Sequence, residues 1–446
     1  MPLKIQNSNR AILLSMSFNY RLTYPLILAG VTLFTPPALS QVLIQAPPTN
    51  LSGPVFRPLS SGVPALATLK QSYRVPHFRL GGRYTPGDPE GYARGGIGGT
   101  TLESLGAEPL KLSYITLGTP RRNARGGITN AIIVSSYYSG DASYLYHYWA
   151  AGQKGNAFSK GAIIGPGKLI DTRKYYVVFL DALGLFGTSK PSDGLGPGFP
   201  QYSLMDMVQA NYRLLKDHLG IDQVKLAMGP SMGAMQTYLW AAMHPGYVQG
   251  ILPIGGTLNT HDDAVVHHLF QLMTAAIQSD PVWRETQGLY YHLPKSNHPN
   301  QGVEFGWSLI GTTGISLDAQ YAEGWESRQK NSFSWSTVKN PEAESKLGSA
   351  LRVKSRDYDA NDLLYRNAAL FAFDMQPFVK QIRAKSLILH VQNDQWLRVQ
   401  NARQAANTIP GARLLTFEDP LAHYAIFKAP NQFKEEIRAF LQALGD

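Results

Sequence analysis

The sequence predicts an α/β fold in which a mostly parallel central sheet is covered by helices on both faces. Short apolar strands alternate with helical segments from residue 110 onward, which is typical of a buried parallel sheet. One of these strands runs into a glycine-framed serine that is followed at once by a helix. The chain has 446 residues and 44% hydrophobic content, enough for one large core or two modest ones.

The predicted elements are short and are separated by turn residues. Strands are expected at residues 110–117, 131–134, 175–180, 226–228, 250–254, 386–391 and 412–417. Helices are expected at residues 203–219, 234–244 and 431–444. The first of these helices carries apolar residues at helical spacing, at Met205, Val208, Tyr212, Leu215 and Leu219.

The alternation of strands and helices sets the predicted domain boundaries. Residues 1–40 are expected to be a signal peptide, and residues 41–109 a Pro/Gly-rich extension that forms a surface loop or linker. The α/β core is expected at residues 110–256 and 371–446. Residues 257–370 lack the alternation, which predicts an inserted lid with helical pieces at 265–277 and 342–351.

The N-terminus predicts export from the cytoplasm. An apolar run at residues 24–34 follows basic residues and precedes two prolines, and Ala38 and Ser40 form a small-x-small cleavage site. The run is too short to span a bilayer, and no later stretch is apolar enough to do so. We therefore expect cleavage near Ser40 and a periplasmic or secreted protein, with an uncleaved leader as the alternative.

Composition excludes several classes of protein. The formal net charge is +10, but the basic residues form no stripe interleaved with aromatics, so nucleic acid is not an expected partner. The chain has no cysteine, which excludes a thiol nucleophile. It has no zinc-protease, phosphate-loop or dinucleotide motif, so no metal and no cofactor are predicted. The pairs Asp262–Asp263 and His267–His268 are expected to be a solvated helix start.

The glycine-framed serine is Ser231, in the run Gly229–Pro230–Ser231–Met232–Gly233. A sharp strand-to-helix turn lifts the serine hydroxyl clear of its neighbours, and it directs the next backbone N–H, that of Met232, toward the oxygen of a bound carbonyl. A Cβ at either glycine is expected to collide with the adjacent strand or helix. The pattern predicts that Ser231 is a nucleophile.

A serine nucleophile needs a base, and the base needs an acid that orients it. In folds with this serine turn, the acid and then the histidine follow on loops after late strands. The strand at 386–391 leads into Asp394, and the strand at 412–417 leads into a loop that carries His423. The sequence therefore predicts a triad of Ser231, Asp394 and His423.

Other titratable residues compete for these two roles. Glu418 and Asp419 are nearer to His423 along the chain, but they share its loop and are expected to shape it. Asp374 precedes the late strands and is expected to cap a helix. His390 lies inside a predicted strand and is expected to be a packed side chain.

The oxyanion of a tetrahedral intermediate needs backbone N–H donors. Met232 is placed to supply one of them because it follows the serine. The second donor should come from a loop after an early strand, and residues 135–140 follow the strand at 131–134. We predict that this donor is the backbone N–H of Tyr138. The alternative is that the aromatic residues of this loop simply pack under the lid.

Several stretches between residue 110 and the C-terminus resemble the homoserine O-acetyltransferase branch of the α/β-hydrolase superfamily. They include G-P-G-K-L-I-D-T at 165–172, S-M-G-A-M-Q at 231–236, and shorter matches at 175–187, 199–200, 206–208, 219–221 and 280–283. The resemblance implies an α/β-hydrolase fold with a helical lid. It also implies Ser231 as nucleophile, Asp394 as acid, His423 as base, and Met232 and Tyr138 as oxyanion donors. It leaves a homodimer formed through the lid open.

Departures from the family pattern bear on function. The family's G-G-S-M-G-G is G-P-S-M-G-A at 229–234, and its H-A-L-T-G turn is S-Y-Y-S-G at 136–140. The lid segment that carries Tyr-Arg-Ser in the family, whose arginine holds the amino-acid carboxylate, is I-G-T-T-G at 310–314. Losing that arginine removes a charge-assisted contact of about 1.5–3 kcal/mol. An exported enzyme would also lack acetyl-CoA, which is a cytoplasmic metabolite.

These departures favour hydrolysis over transfer. We predict a serine hydrolase that cleaves a small-molecule ester, or an amide, through an acyl-enzyme. The alternative is an acyltransferase similar to homoserine O-acetyltransferase, which would use the same triad. A third hypothesis is a binding protein without activity on the same scaffold.

Overall fold

The computed structural model of the chain describes residues 69–88, 91–151, 161–261, 263–314, 316, 355 and 357–445. The predicted signal peptide, the first part of the extension and the predicted helix at 342–351 lie outside the described residues.

The described strands begin well before residue 110. In chain order they are β1 (Gln71–Val75), β2 (Arg79–Leu80), β3 (Thr100–Thr101), β4 (Leu110–Leu117), β5 (Ala131–Ser135), β6 (Ile164–Gly165), β7 (Ile170–Asp171), β8 (Tyr176–Leu180), β9 (Val224–Pro230), β10 (Val248–Ile254), β11 (Lys385–Val391) and β12 (Arg413–Phe417). Eight of them form one sheet in the order β1-β4-β8-β5-β9-β10-β11-β12. β4 is antiparallel to β1 and β8, and the other pairs of this sheet are parallel.

The described helices lie between the strands and in the lid. In chain order they are α1 (Ala142–Tyr146), α2 (Leu204–Arg213), α3 (Met232–Met243), α4 (Ala264–Ser279), α5 (Pro281–Thr286), α6 (Asn300–Thr313), α7 (Ala360–Phe371), α8 (Val399–Thr408), α9 (Ala429–Gln432) and α10 (Lys434–Ala443). The central strands are apolar along their whole length because helices cover them: all five residues of β5 are buried, as is every residue of α3, which packs on β9 and β10. The predicted mostly parallel α/β sheet with flanking helices is confirmed.

The sheet starts earlier than the predicted core boundary at residue 110, and this is a correction. β1 lies in the predicted extension and pairs along its whole length with β4 at the edge of the sheet. The glycine-rich stretch that follows, at residues 81–88 and 91–99, is packed and is not a free surface loop. A Cβ built on Gly82 would lie 2.1 Å from the backbone of Gly96, so the two backbones touch. The hydroxyl of Tyr84 donates to Asp206, at 2.6 Å, and ties the stretch to α2.

The described part of the predicted lid contains α4, α5, α6 and most of α7, and α4 packs against both α6 and α7. The prediction that Asp263 lies in solvent at the start of a helix is wrong. Asp263 is 1% exposed and accepts hydrogen bonds from the Asn401 side chain and the Arg398 backbone, so it joins the start of α4 to the start of α8. Burial raises its pKa to about 6. No helix among the described residues is long and apolar enough to cross a membrane.

His244, directly after α3, predicts a pH dependence of stability. Its ring stacks on Tyr212 at 3.9 Å between centroids, and burial lowers its pKa to about 3. The unfolded histidine, with a pKa of about 6.5, therefore gains a proton as pH falls below that value, while the folded protein does not. The contribution of His244 to the free energy of unfolding is therefore fully present above pH ~6.5, and it is lost progressively as the pH falls from ~6.5 to ~3.

We expect His244→Phe to abolish this loss, because Phe keeps the stacking and cannot gain a proton. Between pH 7.5 and pH 5 the free energy of unfolding of the wild type should fall by about 2 kcal/mol more than that of the variant. Urea unfolding at the two pH values measures the difference. An equal fall in both proteins would show that His244 does not cause this pH dependence.

Candidate active site

Ser231 occupies the turn between β9 and α3, and its backbone is strained. Its φ is +55° and its ψ is −122°, a conformation that residues with a side chain rarely adopt. A Cβ on Gly229 would lie 2.8 Å from the carbonyl oxygen of Ser135, and a Cβ on Gly233 would lie 2.3 Å from the same atom. Both glycines are therefore needed because β5 passes so close to this turn.

Three side chains from distant parts of the sequence meet beyond the carboxyl ends of β9, β11 and β12. The Nε2 atom of His423 lies 3.0 Å from the Oγ atom of Ser231, and its Nδ1 atom lies 2.6 Å from the Oδ2 atom of Asp394. Because Nδ1 faces a carboxylate, it carries the proton and donates it, which leaves Nε2 to accept from the serine hydroxyl. This arrangement permits proton transfer from Ser231 to His423.

Further contacts fix the acid and the base in place. The Oδ1 atom of Asp394 accepts from the backbone N–H groups of Trp396, at 2.9 Å, and Leu397, at 3.1 Å. The ring of Trp396 lies 4.8 Å from the ring of His423. Below them the Nε2 atom of His390 lies 2.7 Å from the carbonyl oxygen of Leu397, and burial lowers the pKa of this histidine. His390 is therefore packed and neutral, and it supports the loop of Asp394.

The competing acids lie elsewhere. Asp419 accepts from the backbone N–H of Leu421, at 3.0 Å, and pairs with Lys428, at 2.8 Å, so it shapes the loop of His423. Glu418 is exposed. Asp374 accepts from the backbone N–H of Gln376, at 2.9 Å, at the start of a short 3₁₀ turn.

Tyr138 lies on the loop after β5, in the wall of the cavity that contains Ser231. The backbone N–H groups of Tyr138 and Met232 make no hydrogen bond within the described part of the chain, so both are available to an oxygen in this cavity. The loop is held from α3 by the Gln236 side chain, which donates to the carbonyl of Ser136 at 2.9 Å. The ring of Tyr138 packs under the lid, 4.6 Å from that of Phe270, so the packing named as the alternative is also present.

The sequence did not predict that two residues of α7 form hydrogen bonds with this loop. The guanidinium of Arg366 donates to the carbonyl of Tyr138, at 3.0 Å, and the side chain of Asn367 accepts from the Tyr138 hydroxyl, at 2.7 Å. A signal was present in the sequence. Arg366 stands in the apolar stripe that Leu363 and Leu370 form at helical spacing, where an arginine is out of place unless it has buried partners.

The described residues that line the cavity above Ser231 are almost wholly apolar. Its walls come from the core and from lid helices α4, α6 and α7. No Asp, Glu, Lys or Arg is among its described lining residues, whose only imidazoles are those of His423 and His267. No group of three His, Asp or Glu side chains among the described residues is arranged to hold a metal ion.

The fold and this triad geometry define a class of protein. A model of the α/β-hydrolase fold family matches residues 164–430, more than half of the chain, and the chain belongs to that family. A homoserine O-acetyltransferase from Rhodospirillum rubrum is 30% identical over 276 residues, which cover 60% of this chain and 67% of the relative. Within the family, the chain therefore lies in the branch that resembles homoserine O-acetyltransferases. It is an enzyme of the α/β-hydrolase type or a related O-acyltransferase.

Two solved structures share the fold. An acetylester hydrolase from Corynebacterium glutamicum superposes with a TM-score of 0.62 at 23% identity, covering 84% of this chain and 95% of the other. A homoserine O-acetyltransferase from Bacillus anthracis superposes with a TM-score of 0.63 at 18% identity, covering 83% and 97%. At these identities the likeness establishes the architecture alone.

Proposed function

We propose that this protein is a serine hydrolase that cleaves small uncharged esters through an acyl-enzyme intermediate. The observation that carries the proposal is the hydrogen-bonded chain from Ser231 through His423 to Asp394, at 3.0 and 2.6 Å, at the base of an apolar cavity. A serine in this arrangement has a base within reach of its proton and an acid that orients the base.

The reaction follows from the geometry. His423 accepts the proton of Ser231 as Oγ attacks the ester carbonyl, and the backbone N–H groups of Met232 and Tyr138 bind the oxyanion that forms. Asp394 stabilises the imidazolium. His423 then protonates the departing alcohol, and the acyl group stays on Ser231. In the second half His423 takes a proton from water as the water attacks the acyl-serine. When the tetrahedral intermediate collapses, His423 returns that proton to Oγ of Ser231, and the acid is released.

The composition of the cavity wall favours an uncharged substrate. Side chains such as Met235, Phe270, Trp307 and Leu370 line it, and no charged donor among the described lining residues is available to hold a carboxylate. A carboxylate that entered would lose its hydration without compensation, which is costly in free energy. The lid segment 310–314, where the resembling family has its carboxylate-binding arginine, contributes Ile310 to this wall.

Acyl transfer is the second candidate, and the 30% identity to a homoserine O-acetyltransferase favours it. Transfer would use the same acyl-serine, with an alcohol in place of water as the acceptor. Export, cleavage near Ser40 and a homodimer stay predictions from the sequence.

The experiment compares p-nitrophenyl butyrate with p-nitrophenyl hemisuccinate, esters of similar size that differ by one carboxylate. We expect kcat/KM for the neutral ester to be at least about tenfold higher, because the apolar cavity penalises the charge. Equal or reversed preference would contradict an uncharged substrate. Ser231→Ala is the control, and its turnover should be at the buffer rate.

The same preparation distinguishes hydrolysis from transfer. Acetyl-CoA and homoserine are supplied together, and free acetate and O-acetylhomoserine are measured by mass spectrometry. Ester hydrolysis in water without detectable O-acetylhomoserine supports the hydrolase. Formation of O-acetylhomoserine faster than acetate would replace it with the transferase.

A further inference from the structure

Arg366 is a buried cation behind the loop that carries Tyr138. It is 1% exposed and lies outside the cavity wall. One terminal nitrogen, Nη1, donates to the carbonyl of Tyr138 at 3.0 Å. The other, Nη2, donates to the carbonyls of Ala182 and Leu183, at 3.2 and 2.7 Å. The guanidinium therefore joins α7 to two loops, the one after β5 and the one after β8.

The charge of Arg366 has no close counterion in the described part of the chain. Its Nε atom is buried and has no hydrogen-bond partner among the described residues, which also place no carboxylate within 4.0 Å of the guanidinium. A buried charge is ordinarily paired, because removing it from water is costly. The described partners of Arg366 are neutral carbonyl oxygens and the sulfur of Met232, 3.9 Å from Nη1. Its charge also opposes the rise that burial gives to the pKa of the Tyr202 hydroxyl.

The cation acts at the predicted oxyanion donor. Burial raises the pKa of the Tyr138 hydroxyl well above its usual value, and the charge of Arg366 opposes that rise. Tyr138 is held at both ends from α7, at its carbonyl by Arg366 and at its hydroxyl by Asn367. Its backbone is therefore fixed before substrate binds, as an oxyanion hole requires.

We propose that Arg366 is a positioning residue of the oxyanion hole, which fixes the backbone at Tyr138 and places a positive charge behind the developing oxyanion. This inference rests on the proposed function. The ground-state ester is neutral, whereas the tetrahedral intermediate is negative, so a charge in a low-dielectric site stabilises the transition state selectively. Arg366 should therefore influence kcat much more than KM.

The test uses the full chain with p-nitrophenyl butyrate as substrate and butylboronic acid as competitor, since a boronate forms an anionic tetrahedral adduct with serine. We expect Arg366→Met and Arg366→Gln to lower kcat about 10²-fold with KM changed by less than about threefold. The Ki of the boronate should rise by a similar factor. Arg366→Lys, which keeps the charge, should recover about tenfold of the lost kcat.

Arg213→Met is the matched control. Arg213 also donates to a backbone carbonyl, that of Ala93, at 2.8 Å, and it pairs with Asp217, but neither partner belongs to the cavity wall or to the predicted oxyanion hole. Its kcat should equal that of the wild type. If Arg366→Met does not fold, the comparison of kcat between Arg366→Gln and Arg366→Lys decides whether the charge contributes.

Any of three results would overturn the inference. The first is kcat of the neutral variants within about threefold of wild type, and the second is a fall in kcat with boronate affinity unchanged, which indicates a purely structural role. The third is equal kcat in the Lys and Gln variants. Wild-type protein that neither hydrolyses the ester nor reacts with a fluorophosphonate would instead refute the proposed function. The two failures are distinct because one is measured on the variants and the other on the wild type.

Discussion

Replacing either Ser231 or His423 with alanine should lower kcat for ester hydrolysis by about 10⁵–10⁶-fold. Ser231→Ala removes the atom that attacks the carbonyl, and His423→Ala removes the acceptor of its proton, 3.0 Å away. Because the two groups act as one unit, the double variant should be no slower than either single variant. Stopped assays with p-nitrophenyl butyrate over hours measure rates in this range.

A structural control accompanies these variants. Each variant should unfold at a temperature similar to that of the wild type, because both changes remove only a few atoms. Residual kcat within about a hundredfold of the wild type in either variant would show that chemistry proceeds by another route.

Asp394→Asn should lower kcat by about 10⁴-fold while leaving KM nearly unchanged. The amide oxygen of the variant is expected to accept from the backbone N–H groups of Trp396 and Leu397, as Oδ1 of the native carboxylate does. The amide N–H₂ group then faces Nδ1 of His423, which must become an acceptor. The proton moves to Nε2, so the imidazole cannot accept from Ser231.

Asp374→Asn is the control for this variant, because the described contact of the Asp374 carboxylate is with the backbone N–H of Gln376, away from His423. Its kcat should stay within about threefold of the wild type. A similar loss in both variants would mean that Asp394 acts through loop stability and not through the imidazole. A visible Nε2 proton on His423 by NMR in Asp394→Asn would support the tautomer argument.

Local patterns were sufficient to predict the central strands and the serine turn. The strand β4 has the bounds that the sequence predicts, 110–117, because its residues alternate in the way that is typical of a strand. Strand ends also located Asp394 and His423, since the carboxyl ends of parallel strands meet at one edge of the sheet. Each of these inferences depends on neighbours close in sequence.

The features that the sequence did not predict depend on distant partners. β1 is short and half exposed, and only its pairing with β4 makes it a strand. Asp263 was expected in solvent and is buried against Asn401, which lies 138 residues away. Arg366 donates to carbonyls more than 180 residues before it in the sequence, so no local pattern could predict its hydrogen-bond partners.

The most direct measurement asks whether Ser231 itself carries the acyl group. The full chain is mixed with p-nitrophenyl butyrate, quenched in acid within the first turnover, digested and analysed by mass spectrometry. We expect one butyryl group on the peptide that contains Ser231, formed and lost at rates that support turnover, and no such adduct in Ser231→Ala. Turnover without that adduct, or with the acyl group on another residue, would contradict this expectation.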